Sequence, residues 1–224
     1  MKKCKDNDSE VTFSPNEKEL NEFLKKVKSF GEFKIINNND NNQFIKSVIM
    51  QKDEFDFIKS EIKNKLNKKI KEIKKLYQAT VDGGEPVNFH LKCDNIPNTL
   101  VLIKSSGNRR FGGFTSVNWE SSSNNIWKDD KNAFLFSLDK KKIYSYKNDG
   151  KAILCYKNQG PCFGYGYDIG IEGNPLKEKL LYTYENFQKD CSYKYNGDAH
   201  ALSEDGKGNR INAIEYEVFQ VVFL

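Results

Sequence analysis

Apolar positions recur every three or four residues up to about residue 80, and beyond it they gather into short runs. In "SPNEKELNEFLKKVKSFG", Leu20, Phe23, Leu24 and Val27 make one stripe. Ser14 stands at an N-cap position, Pro15 at the first helical position, Glu17 where a capping box wants it, and Gly31 follows the end. A helix is predicted there. "NNNDNNQ", residues 37–43, has nothing to pack and reads as a surface loop. A longer helix is predicted from Glu54 to Tyr77, where Ile58, Ile62, Leu66, Ile70, Ile73 and Tyr77 keep helical spacing. Its other faces carry Lys59, Lys63, Lys65, Lys68, Lys69, Lys71, Lys74 and Lys75. Either they solubilise an amphipathic helix or they meet an acidic partner.

After "VDGGEP" the runs become strand-like and closely spaced: "TLVLIKS", "RRFGGFTS", "NAFLFSL", "KIYSYK" and "AILCYK", separated by turn signals. The final "AIEYEVFQVVFL" also reads as a strand. Ile214, Tyr216, Val218 and Gln220 fall on one side, and Ala213, Glu215, Glu217, Phe219 and Val221 on the other. Helices first and strands later imply an α+β fold in which the early helices cover a β-core.

Inside "GNRRFGGFTSVNW" two glycines, Gly112 and Gly113, interrupt a strand-like pattern. Glycine weakens a strand, so the pair implies either a bulge or a close approach by another group.

Composition narrows the class. The 224 residues are 38% hydrophobic and 13% aromatic, enough for a globular core. The net charge of +5 is modest, and no aromatic residues interleave with the lysines to stack on bases, so nucleic acid is not expected as a partner. Cys4, Cys93, Cys155, Cys162 and Cys191 are odd in number and form no CxxC pair, which fits reduced thiols in a cytoplasmic protein. No apolar run reaches the roughly 20 residues of a membrane span, and "MKKCKDNDSE" lacks a signal-peptide core.

Candidate chemistry is sparse. "FHLKCD" puts His90, Cys93 and Asp94 on one side if helical, a geometry that serves either a reactive thiol or a structural hydrogen bond. The glycines of "FGYGYDIGIEG" do not match a phosphate-cradling loop. "SEDGKGN" lacks the alternating carboxylates of a calcium loop, and no zinc ligand set or GxSxG motif is present. Neither metal nor cofactor is expected, and the reading leans away from an enzyme.

The ordered landmarks "FGGFTSVNW", "KNAFLFSLDKKKIY", "GPCFGYGYDIGI" and "IEYEVFQV" resemble the TLDc domain, the module of oxidation-resistance proteins. "LYQATVDGGEPVNFHLKCDNIPNTLVLIKS" is similar to its start. The resemblance spans residues 45–224 and leaves 1–44 as a helical extension with an Asn-rich loop. It implies a two-sheet antiparallel β-sandwich flanked by helices. Within that fold, Gly112 and Gly113 are expected to bend or bulge a core strand, with Phe111, Phe114 and Trp119 packing around them. Gly160, Pro161 and Gly164 are expected to form a turn, with Asp168 beside it.

The resemblance also implies a protein-interaction module linked to oxidative-stress resistance, acting on a large assembly such as the vacuolar-type proton-pumping ATPase. Contact to an organelle membrane would then run through the protein partner. Glu215, Glu217 and Phe219 are the expected contact residues. The alternatives are a structural subunit of another complex, or a thiol sensor using Cys93 with His90. The segment 175–191 matches nothing in the family pattern.

Overall fold

A computed structural model describes residues 46–183, 191–198, 200–202 and 210–224. The helix predicted after Ser14, the loop at 37–43 and the turn at 203–209 lie outside these residues. The elements are α1 (Lys52–Leu66), β1 (Ile70–Gln78), α2 (Ala79–Asp82), α3 (Pro86–Cys93), β2 (Thr99–Ser105), β3 (Arg110–Thr115), β4 (Ile126–Lys128), β5 (Phe134–Ser137), β6 (Lys142–Ser145), β7 (Ile153–Cys155), β8 (Gln159–Phe163), β9 (Ile169–Glu172), β10 (Leu181–Tyr182), β11 (Arg210–Ile211) and β12 (Ala213–Phe223).

The long helix predicted from Glu54 to Tyr77 is two elements. α1 stops at Asn67, whose left-handed backbone (φ 49°) caps it by donating to the Lys63 carbonyl at 2.8 Å. The chain then turns into β1. Register shifts between Ile70 and Glu72 and between Lys75 and Tyr77 each insert an extra residue opposite β12. Those bulges give the apolar positions of β1 the three- and four-residue spacing of a helix.

Two antiparallel six-stranded sheets form the sandwich. The first runs β1-β12-β2-β3-β5-β6 and the second β11-β10-β9-β8-β7-β4. Strand residues of the first sheet alternate between two buried faces. Val101, Ile103, Phe111, Tyr216 and Val218 face the second sheet, which supplies Phe163, Ile169, Ile171 and Leu181. Leu100, Leu102, Phe114, Phe134, Phe136, Phe219 and Val221 face outward and are covered by Phe55, Ile58 and Ile62 of α1. Burying each such side chain contributes on the order of 1.5–3 kcal/mol, so the α1 stripe is what makes an apolar outer face tolerable. A bidentate fork fixes α1 in place. Arg110 donates to Glu54 at 2.7 and 2.9 Å and to Asp139 at 2.9 Å.

An aromatic chain threads the core between the sheets. Tyr216, Tyr77, Phe89, Trp119, Phe163, Tyr193 and Tyr146 follow one another with ring centroids 5.1 to 6.5 Å apart. Trp119 is buried and donates its indole N–H to the Thr99 hydroxyl at 2.8 Å.

The glycine pair serves close approach, not a bulge. The pairing of β3 with β2 and with β5 runs unbroken through Gly112 and Gly113. A Cβ on Gly112 would lie 1.9 Å from the Val101 carbonyl and 2.8 Å from the Phe136 ring. One on Gly113 would lie 2.7 Å from the Phe163 ring and 2.8 Å from Leu135. The rings that use the space are therefore Phe136 on one face and Phe163 on the other. Phe114 instead stacks on Phe134, and Trp119 meets Phe163 edge-on. Gly113→Ala is expected to lower stability by about 1–3 kcal/mol through overpacking. Gly112→Ala should cost more, because its clash is with backbone. Urea unfolding midpoints of the two variants check both the size and the order.

Candidate functional site

Pro86 opens α3 at its first turn, and the helix brings the three "FHLKCD" residues together. His90 Nδ1 lies 2.7 Å from Asp94 Oδ1. His90 Nε2 lies 2.9 Å from the Gln159 carbonyl and 3.1 Å from that of Tyr156. Both ring nitrogens are thus engaged by oxygens, and the imidazole pins α3 to the turn before β8. Cys93 is fully buried in the core between the sheets. Burial pushes its thiol well up, and the Asp94 and Asp82 carboxylates push the same way. A reactive thiolate needs the opposite setting, a positive and accessible one.

The last strand differs from expectation as well. Glu215, Glu217 and Phe219, the contact residues that the resemblance implies, are all three buried. They lie on the outer face of the first sheet, where the chain itself covers them. Glu217 accepts from the Ser47 hydroxyl at 2.5 Å, from the Val48 N–H at 3.3 Å and from the Lys75 ammonium at 2.5 Å. Glu215 accepts from Thr80 through its N–H at 3.1 Å and its hydroxyl, and from Gln78 Nε2 at 3.0 Å. These carboxylates tie β12 to residues more than a hundred positions earlier. No local signal marks Ser47, Lys75, Gln78 or Thr80 as their partners.

"GPCFG" is mostly strand. Gly160 and Pro161 belong to β8, at a register shift against β9 between Gln159 and Cys162. A proline is tolerated there because an irregular position needs no ladder N–H. A Cβ on Gly160 would come within 3.2 Å of Ile171. The turn begins only at Gly164, whose φ is +76°. The Asp168 side chain fills the space beside it, 1.9 Å from where a Cβ would stand. Asp168 is buried and accepts from the Ser192 N–H at 2.7 Å and the Tyr195 hydroxyl at 2.8 Å. Residues 191–198 also join the edge of the first sheet, because the Lys147 N–H donates to the Ser192 carbonyl and the Lys194 N–H to the Ser145 carbonyl. Asp168 therefore latches one sheet's turn to the other sheet's edge.

Among the described residues, the chemistry-bearing side chains do not converge on one exposed site. Among the described residues no group of three His, Cys, Asp or Glu side chains is placed to hold a metal ion. No helix among them is long and apolar enough to cross a membrane. What the surface does offer is apolar. Val87 and Leu91, one turn apart on α3, are 66% and 82% exposed, and Val81 of α2 is 75% exposed. A salt bridge of 3.1 Å from Lys92 to Asp82 holds the two helices together.

Two measurements check this picture. Cys93 is expected to react with a maleimide only on unfolding, and fast labelling in the native protein, read by peptide mass, would restore the thiol reading. Burial raises the Asp168 carboxyl from its ordinary 3.8 to about 7. Between those values the folded chain keeps a proton that the unfolded chain releases. Its contribution to stability is therefore full below about pH 4 and lost as pH rises through 7. Asp168→Asn should flatten that slope in thermal unfolding. At pH 5 it should cost little, because the amide replaces the protonated carboxyl, accepting from the Ser192 N–H and donating to the Tyr195 hydroxyl.

No individual curated protein matches the chain. The match that exists is to a whole family: its model, described as the TLDc domain, aligns with residues 43–222. That span holds both sheets and the three described helices, and by it the chain belongs to the TLDc domain family.

Proposed function

We propose that this chain is a non-enzymatic TLDc-type interaction module that binds or regulates a large protein assembly, the vacuolar-type proton-pumping ATPase being the foremost candidate, in the service of oxidative-stress resistance. Family membership over residues 43–222 carries the reading. The arrangement of side chains supports it. His90, Glu215, Glu217 and Asp168 are spent on holding elements together, and Cys93 is sealed in the core. The exposed surface offers contacts of the kind that bind proteins: aliphatic side chains on a short, anchored helix pair. Val81, Val87 and Leu91 take the role first given to the last strand.

The test is retrieval of the tagged full chain from native extract under gentle conditions, with mass spectrometry of what accompanies it. Proton-pump subunits in the wild-type sample, reduced at least severalfold by Leu91→Glu, are the expected result. A different assembly recovered at fixed stoichiometry would make the chain a structural subunit of that complex. An empty retrieval would refute the interaction reading.

A further inference from the structure

The lysines of residues 59–71 do not form one face of a long helix. The left-handed Asn67 folds them around a corner between α1 and β1. Lys59, Lys63 and Lys65 come from α1, Lys68 and Lys69 from the turn, and Lys71 from β1. Five of these are exposed and Lys65 is half-buried. None makes an ion pair among the described residues. The nearby carboxylates do not neutralise them. Glu72 pairs with Lys74 at 3.4 Å, three of the four acids of α1 gather at its first turns as Asp53, Glu54 and Asp56, and the fourth, Glu61, makes no ion pair with these lysines among the described residues. Glu54 is itself taken by Arg110. Charge is thus polarised along α1, with the unpaired positive end at the corner.

Edge protection does not explain the corner. β1 is an edge strand, and lysines on such a strand discourage pairing with another chain. That accounts for Lys71, but not for lysines on a helix and in a turn. The chemistry of the lysine side chain bears on the kind of partner. The corner holds lysine alone, while Arg109 and Arg110 lie at β3 and Arg210 on β11. Arginine forks suit bidentate recognition of one phosphate or carboxylate, whereas hydrated lysine point charges suit a diffuse anionic sheet. The ring beside these lysines, Phe223, is half-buried with the Lys68 ammonium 5.7 Å from its centroid, so no fully exposed ring is offered to stack on bases, which disfavours single-stranded nucleic acid.

We infer that the α1–β1 corner is a docking surface for an anionic membrane, touching lipid headgroups directly instead of through a protein partner. The inference does not depend on the identity of any protein assembly. Each lysine near a negatively charged leaflet contributes about 1 kcal/mol, and the attraction fades over a Debye length.

The experiment sediments the full chain with vesicles of about one quarter phosphatidylserine in phosphatidylcholine, and with phosphatidylcholine alone. Binding to the anionic vesicles only, weakened by added salt, is expected. Lys68→Gln/Lys69→Gln/Lys71→Gln should lower the partition coefficient roughly a hundredfold. A control, Lys131→Gln/Lys141→Gln/Lys157→Gln, removes the same charge from exposed positions elsewhere and should bind like the parent chain. Equal loss in the control would mean that net charge alone acts, and would overturn the site. Unchanged binding by the corner variant, or equal binding to neutral vesicles, would also overturn it. Retention on duplex RNA without vesicle binding would reassign the corner to nucleic acid.

Discussion

Everything in the sandwich depends on how closely aromatic rings can approach β3. A strand buried on both faces must present side chains to two cores at once. At Gly112 and Gly113 it presents none, and a ring from each side comes down to the backbone: Phe136 under α1 and Phe163 from the second sheet. Phe163 is the ring of the aromatic chain that joins Trp119 to Tyr193. Trp119 and Tyr193 both meet it edge-on. The cost of two flexible residues in a strand is offset by contact that any side chain would forbid.

Much of this was legible in the sequence, and what was missed has physical causes. β2 and β3 read as strands because their runs are continuous and bounded by turn residues. The α+β class and the sandwich followed from the landmark order. β1 did not read as a strand, because two bulges disguised its period of two as a helical one. The short β4, β10 and β11 carry too few residues for a pattern to show. The glycine pair was recognised as costly, yet the sequence could not name the rings it admits, since Phe136 and Phe163 lie 24 and 50 positions from Gly112 and Gly113. The last strand's alternation assigned Glu215 and Glu217 to one face correctly. Their burial was invisible, because it comes from Ser47, Lys75 and Thr80, distant partners that no local rule connects.

The same carboxylates show how the family scaffold uses polar groups. A buried polar group is tolerated only when hydrogen-bonded, and each here is. Glu217 holds the segment before α1, Glu215 holds α2, His90 holds α3, and Asp168 holds the crossing segment at the far edge. These groups replace a larger apolar core at the margins of the sandwich, where helices and loops meet sheet. Residues that a sequence reader takes for chemistry are fasteners, which leaves recognition to exposed side chains on the helices and corners.

The position of β12 has a consequence for synthesis. It lies between β1 and β2, yet every other described strand precedes it in the chain. While the ribosome is still adding residues, β1 has no neighbour to pair with and β2 is bonded on one side only. The first sheet stays open along its middle until the last strand emerges, and the contacts that close it span more than a hundred residues. Such closure is slow compared with local pairing. A nascent chain of this design holds β1 and β2 unjoined until β12 is made, and loss of β12 removes the element that joins them.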